Sequence, residues 1–589
     1  MASGGPLAFT DVPSPPLPAQ QPVQGGGKLL SFRGQPYWRD TSGILWALTA
    51  TGANAVPWSE SGFTGGAAPP GGTTDFLCAD GTWQVPAGAG SASFSAAADG
   101  QGNNGVVVTE NPAINSMASG VQASAILAGG ITGSPNAISG VVNYSLIDGG
   151  YDDVIESTSV GVLKIGGAHN RIFGNSASHS AIHWGSFHVL ENGSYAVISG
   201  GTGHTVASDG AVIAGGESNT IPPSSQEAAV GGGSANVAYG AFSTVAGGTA
   251  GYTGANEATV SGGSANENFG QYGVIGGGNA NQIGDGLAVT DGAITASTNT
   301  LACHTSTPFA SPVVAGSTVI VLGAGPAPSH TTTGSVAARG VPLVTTIATI
   351  TDTGDVVLNA TAATTVSGAT VIIITGDGSG SSSVIGGGTS NTVGKTAVSQ
   401  YATIVGGRSN DAEANYATVL GGQGNKASAV YATAAGVDAL ADLYGSLAHA
   451  QGQFAAQGDN QWMLIHPWRQ IVNLTSATEL RLDGSGTRLT LNTNNTAWRF
   501  KGEVLAKQTG GITVNAWHIE GVIAMGAGAS TTVMKWSAVD VLYGDSATAA
   551  LTATADVTNG ALSVQFTDSG GGAVTWDVGA DIQIRKVAG

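Results

Sequence analysis

Charge is what this chain has least of. Only 9% of its 589 residues are charged, and 18 Lys and Arg against 37 Asp and Glu leave a net charge of −19. No basic block is present, so nucleic acid is not an expected partner. The two cysteines, Cys78 and Cys303, lie in different segments and read as free thiols rather than a disulfide framework. No apolar run reaches 18 residues, so no membrane-inserted helix is expected. The opening Met-Ala-Ser-Gly-Gly-Pro has neither a basic region nor an apolar core, so no secretory signal is expected. A P-loop is missing, as is a Gly-x-Ser-x-Gly elbow between a strand and a helix.

What is abundant is glycine, with 94 copies and no Gly-X-Y period, which excludes collagen. The glycines punctuate a repeat. It reads Ala-Val-Ile-Ala-Gly-Gly-Glu-Ser-Asn at 211–219 and Ala-Thr-Val-Leu-Gly-Gly-Gln-Gly-Asn at 417–425. A branched residue stands two before each Gly-Gly: Ile198, Ile213, Val230, Val245, Val260, Ile275, Ile385, Ile404 and Val419. Steps are 15 residues, apart from one of 17, one of 19 and one break of 110. A short fixed period predicts a stacked solenoid. Fifteen residues span roughly 50 Å of extended chain, enough for a flattened coil of two short strands and two tight turns. The branched residue is expected to point inward. Four residues after the first Gly, Asn219, Asn236, Asn266, Asn281, Asn391, Asn410 and Asn425 recur, with His204 and Gly251 in the slot twice. Asn there suits a left-handed turn residue or an amide ladder along the stack. So thin a coil buries little apolar area, and Leu420 beside Val419 puts apolar residues on the opposite parity as well. Several coils are therefore expected to pack together, three about an axis.

The repeat sets the divisions. Residues 1–27, with six prolines in the first 22 positions, read as an extended attachment arm. Residues 28–90 read as small β modules and linkers, with a meander over 28–48 and an Asp-Gly turn in Phe76-Leu-Cys-Ala-Asp-Gly-Thr-Trp83. Residues 91–194 read as an irregular solenoid entry, 195–286 and 381–457 as regular β-roll repeats, and 287–380 as an inserted β-sandwich of Val/Ile/Thr strands bulging from the side. Residues 458–589 hold six of eleven tryptophans and strand patterns at 478–492, 497–507, 513–525, 531–536, 547–557, 560–567 and 573–587, an antiparallel sandwich knob. The fold class is all-β: an elongated parallel β-roll or β-helix shaft, the inserted sandwich and the knob, in a homotrimer.

Candidate chemistry is sparse. His179, His183 and His188 with Trp184 are the one histidine cluster, and on strands they divide between two faces, which suits stacked or surface histidines better than a metal site. Asp152, Asp153 and Glu156 read as a solvated or cation-binding turn rather than a glycosidase pair. Trp498, Trp517 and Trp576 sit on predicted strands and are expected in the core. Trp462 and the His466-Pro-Trp-Arg469 phrase precede the first regular strand. Trp462, His466, Trp468 and Arg469 are therefore the receptor-binding candidates, since aromatic faces with Arg suit sugars. No catalytic, cofactor or metal residue is assigned. A structural ion on a trimer axis is the one cofactor considered.

The Gly-Gly-x-x-Asn repeat resembles the β-roll repeats of trimeric adhesin heads, which also occur in phage fibres. The core Tyr37-Trp-Arg-Asp-Thr-Ser-Gly43 is similar to a short N-terminal module of tailed-phage fibres, and Phe76 to Trp83 to a Phe-Leu-Arg-Gly-Asp-Gly-Thr-Trp phrase of such fibres, with Cys78 and Ala79 replacing Arg and Gly. The stretch Val289-Thr-Asp-Gly-Ala-Ile-Thr resembles a β module of phage tailspikes and fibres, and Glu479-Leu-Arg-Leu-Asp-Gly-Ser-Gly-Thr-Arg a fibre C-terminal domain. The resemblance implies a virion tail fibre made in the host cytoplasm. Its N-terminal arm would join a tail or baseplate protein, and its distal knob would bind a host surface glycan or protein. The alternatives are a tailspike-type polysaccharide depolymerase and a capsid-attached head fibre or decoration protein.

Overall fold

Each repeat closes one turn of a stack of coils joined by parallel pairing, and the residue pattern dictates how. In this computed structural model, the described residues run from 115 to 589 apart from short stretches, of which 327–339 is the longest, together with the backbone of eight strands between Lys28 and Thr109. The arm expected at 1–27 and the Cys78 thiol lie outside the described residues.

Two compact units divide the chain at Ser95. In the first, Lys28–Phe32, Gln35–Arg39, Leu45–Ala47 and Pro57–Trp58 form a four-stranded antiparallel sheet, and Phe76–Leu77 pairs antiparallel with Trp83–Gln84.

In the second, the coils stack in parallel. One ladder runs through two-residue strands such as Val197–Ile198, Val212–Ile213, Ala229–Val230 and Thr259–Val260. A second, of 15 strands, runs through Thr205–Val206, Thr220–Ile221, Val237–Ala238 and on to Leu440–Ala441. The coil has a third line of contact that the sequence pattern does not announce. Single-residue bridges join Thr202, Glu217, Ser234, Thr249, Ser264, Asn279, Thr389, Arg408 and Gln423. The branched residues Ile213, Val230, Val260, Ile275, Ile385, Ile404 and Val419 are all inside, at most 1% exposed. They meet Ile221, Ile283, Val393 and Ala412 from the other ladder in a core only one side chain deep.

Asparagine in the repeat forms a ladder and is not the left-handed residue. Asn219, Asn236, Asn266, Asn281, Asn391, Asn410 and Asn425 are fully buried. The positive φ falls one residue earlier, at Ser218, Ala235, Ala265, Ala280, Ser390, Ser409 and Gly424. That kink turns the Asn amide inward along the axis. There its Oδ1 accepts the backbone N–H of the next Asn, at 3.0 Å from Asn236 to Asn219 and 3.1 Å from Asn391 to Asn281. Its Nδ2 donates to a glycine carbonyl of its own coil and to one of the next. Buried amides need such partners.

The irregular entry belongs to the same ladder. Asn115 accepts from Asn136, Asn136 from Asp153, Asp153 from Asn170 and Asn170 from His188. His188 and His204 then take the slot, each accepting through Nδ1 from the residue above, and their rings stack 4.9 Å apart. Asp152 and Asp153 are therefore buried, not solvated as their turn-like setting suggests. Asp152 holds Arg171 at 3.1 Å and His169 at 2.6 Å.

A second corner also takes positive φ, just before the first ladder, and here large residues occupy it: Tyr195, Phe242, Tyr272, Tyr401, Tyr416 and Tyr431. Left-handed backbone costs a bulky residue about 1–2 kcal/mol. Stacking offsets part of it, with ring centroids 5.1 Å apart from Tyr401 to Tyr416 and 4.8 Å from Tyr416 to Tyr431.

The insert interrupts the coil without shifting it. Ile275 pairs with Ile385 and Ile283 with Val393, as neighbours 15 apart would. Its six antiparallel strands, from Leu287–Ile294 to Val366–Ile374, form two sheets that share edge strands and close on themselves around Leu301, Val319, Ile347 and Val356. It does not simply bulge. Ile320 and Ile372 pack on Val237, Tyr252 and Phe269, so the insert lies against the second ladder. Cys303 is inside it, a free thiol that burial pushes up to about 12.

The last coil passes directly into the knob. Leu447–Gln451 pairs antiparallel with Asn460–Ile465, and one apolar core runs from the shaft into the sandwich. Two strands the sequence pattern missed, Asn460–Ile465 and Trp468–Val472, flank Thr575–Ala588 on one side. Thr496–Gln508, Val514–Met525 and Val533–Gly544 extend the sheet on the other side. Thr478–Glu479, Leu489–Thr490, Ala549–Asp556 and Ala561–Asp568 make the facing sheet. Trp498, Trp517 and Trp576 fill the space between at 1% exposure.

Burial in the shaft has a pH signature. Desolvation raises the Glu267 carboxyl to about 7, against the opposing charge of Lys395. The folded chain then binds a proton between about 4.5 and 7 that the unfolded chain releases, so Glu267 favours folding below that window and the benefit is lost as pH rises through it. Glu191 behaves alike. His204 runs the other way: burial lowers it to about 4, so its contribution is lost as pH falls from about 6.5. Glu267→Gln is expected to raise the melting temperature at pH 8 by roughly 2–5 °C and to leave it nearly unchanged at pH 4.5. Melting curves at both pH values check this, and an equal shift at both would contradict it.

Candidate functional site

The knob's edge strand is broken by design of its sequence. Asn460–Ile465 pairs with residues up to Val587, and Trp468–Val472 resumes against Thr575 to Gly579. Between them stand His466 and Pro467, and proline has no N–H to continue a ladder. The Pro467 carbonyl still accepts from Ala580 at 2.9 Å. The break turns Trp468 outward, half exposed at 51%. Its indole lies across Gly484, where a Cβ would come within 2.5 Å of the ring.

A groove of about 880 Å³ opens beside it, over the outer face of the sheet. Gly579 and Ala516 lie along it, with nothing above the Gly579 Cα. Trp468, Leu505 and Leu542 supply apolar surface, and Leu505 and Leu542 are more than half exposed. Polar groups line the rest: Gln470 donates to Asp577 at 2.8 Å, and Thr509 donates to its other oxygen at 3.0 Å. His466 Nδ1 lies 2.5 Å from Asp581 Oδ1, with both side chains well exposed, so the pair adds little stability. Glu503 and Asp581 are register partners and share the groove, placing two carboxylates side by side. An apolar floor with fixed amides and acids is what a sugar's CH faces and hydroxyls fit.

The four candidate residues separate. His466, Trp468 and Arg469 line this groove. Trp462 does not; half-buried, it faces Arg585 and His449 across its strand. Leu505, Leu542, Asp577 and Asp581 were not singled out by sequence reasoning, and no local signal marks them, because antiparallel pairing of strands distant in sequence brings them together. The histidine cluster disperses too. His188 is in the buried ladder, His179 stacks on Tyr195 at the surface, and His183 lies between. Among the described residues no group of three or more His, Cys, Asp or Glu could hold a metal ion.

No protein-family model matches the chain, and no curated protein does. Among solved structures, the crystal structure of the Acinetobacter baumannii phage AM24 tailspike protein aligns over 79% of this chain and 68% of its own, at 8% identity and a TM-score of 0.16, too slight a likeness to carry an argument.

Proposed function

We propose that the chain is a receptor-binding fibre of a tailed phage, a homotrimer attached to the virion tail or baseplate through its N-terminal arm, whose knob binds host surface glycan. The observation that carries the reading is the division of labour along the chain. In the shaft the recurring asparagine amides are engaged in its own ladder. The open, mixed aromatic and polar groove lies in the knob. Exposed apolar side chains along the coil, including Val405 at 58% and Leu420 at 54%, support packing against further copies. Three copies would turn weak sugar contacts into avidity.

A second reading has its own support: Glu503 and Asp581, register partners that both line the groove, supply the two carboxylates that a glycosidase needs. Incubating the purified protein with host polysaccharide separates the two. Adsorption to cells with polysaccharide of unchanged length is expected; shortened chains that disappear in Glu503→Gln would establish the depolymerase instead.

A further inference from the structure

Three arginines converge behind Trp468. Arg481 exchanges backbone hydrogen bonds with Trp468, at 2.8 Å and 3.3 Å. Its guanidinium is nearly buried and meets Glu479 through Nη2 at 2.8 Å, but Nε and Nη1 have no acceptor. Arg488 Nε stands 3.7 Å from the same carboxylate oxygen and 3.4 Å from Asp556, and makes no hydrogen bond either. Arg469 Nη1 donates to the Glu479 carbonyl at 3.1 Å. The remaining carboxylate oxygen, Glu479 Oε1, is buried and receives no donor.

Two features make this more than a structural ion cluster. Three guanidiniums face two carboxylates, so one positive charge is left over in a chain of net charge −19. Buried donors left without acceptors are costly, and here several remain in one place. Burial, with Arg488 and Arg469 beside it, pulls the Arg481 guanidinium below its usual value against the opposing pull of Glu479. The unmet groups are also complementary in kind: several donors that want an oxyanion, and one acceptor that wants a hydroxyl. Arg488 is partly open to solvent and Arg469 reaches the groove, so the cluster is not sealed.

We infer that Arg481, Arg488 and Arg469 form the recognition site for an acidic sugar unit, whose oxyanion accepts from Arg481 and Arg488 and whose neighbouring hydroxyl donates to Glu479 Oε1. The source of the ligand rests on the receptor-binding reading; the chemistry rests on these groups alone. Guanidinium suits this task because it presents several directed donors to carboxylate or phosphate.

Calorimetric titration of the full chain tests it, with tetragalacturonate, glucose 6-phosphate, inorganic phosphate and neutral maltotetraose as probes. At least one sugar anion is expected to bind tenfold or more tightly than maltotetraose. The uronate arm and the phosphate arm distinguish carboxylate from phosphate. Arg488→Gln, on the more exposed partner, is expected to weaken that binding at least tenfold with an unchanged melting temperature; Arg481→Met should abolish it. No sugar anion bound by the folded wild type, binding unchanged in Arg488→Gln, or inorganic phosphate bound as tightly as the sugar anion would overturn the inference. Sugar-anion binding by a protein that does not adsorb to host cells would remove the fibre reading and leave this site standing.

Discussion

Asn281→Leu is expected to destabilise the shaft by about 4 kcal/mol or more. Asn281 joins the coil before the insert to the coil after it. Its Oδ1 accepts the Asn391 N–H at 3.1 Å and the Asn391 side-chain amide at 3.0 Å. Its Nδ2 donates to Gly277 at 2.9 Å and Gly388 at 3.1 Å. Leucine has nearly the same volume and none of these partners, so it leaves buried backbone groups of both coils unpaired at about 1–3 kcal/mol each. Because each coil of a solenoid contacts only its neighbours, the damage should be local and the stack should part there. Limited proteolysis is expected to cut near the insert boundary in Asn281→Leu and not in the wild type, with a lower melting temperature. An uncut variant of wild-type stability would remove the ladder from the account of what holds the shaft. The reciprocal change is Gly251→Asn, at the slot where the ladder has no side chain. Its Cβ would sit 3.1 Å from Asn236 Oδ1 and 3.2 Å from Val245 Cγ1. It is expected to gain about 1 kcal/mol once those neighbours shift by a few tenths of an ångström.

The parallel stack was legible because one phrase recurs with its apolar residue in a fixed place, and a 15-residue period leaves little else for Ile213 or Val419 to do than stack on its copies. The ladder was half legible. Asn stood out by repetition, but its role depended on which residue carries the positive φ, and Ser218 or Ala265 does not advertise that. Below residue 194 the same ladder continues through Asp153, Asn170 and His188. It escaped notice there because coil lengths vary and three chemistries share one geometric job: an acceptor pointing along the axis. A carboxylate oxygen, an amide oxygen and an imidazole Nδ1 all serve. The same blindness made Asp152 and Asp153 look solvated. In the knob, the alternation of Trp498, Trp517 and Trp576 marked the core, and the His466-Pro-Trp phrase marked a break. The groove could not be read, since Asp577, Asp581, Leu505 and Leu542 reach it through antiparallel pairings that local pattern does not encode.

Trp468→Ala is expected to abolish most host adsorption while the knob stays folded. The indole is half exposed, rests on Gly484 and contributes to no buried core, so its loss should move the melting temperature by no more than a few degrees. It is also the groove's largest apolar face. Truncating an aromatic anchor in a binding site costs about 2 kcal/mol, or roughly thirtyfold in affinity at a single site. If three copies engage one surface together, the losses compound, and adsorption should fall on the order of a thousandfold or more. Trp462→Ala provides the contrast. Trp462 is an aromatic of the same size on the same sheet, outside the groove, and its removal is expected to change adsorption by no more than about threefold. Adsorption of both variants to host cells, beside their melting curves, decides the matter. Equal losses in the two would point to a general weakening of the sheet, and an unaffected Trp468→Ala would move the receptor site away from this groove.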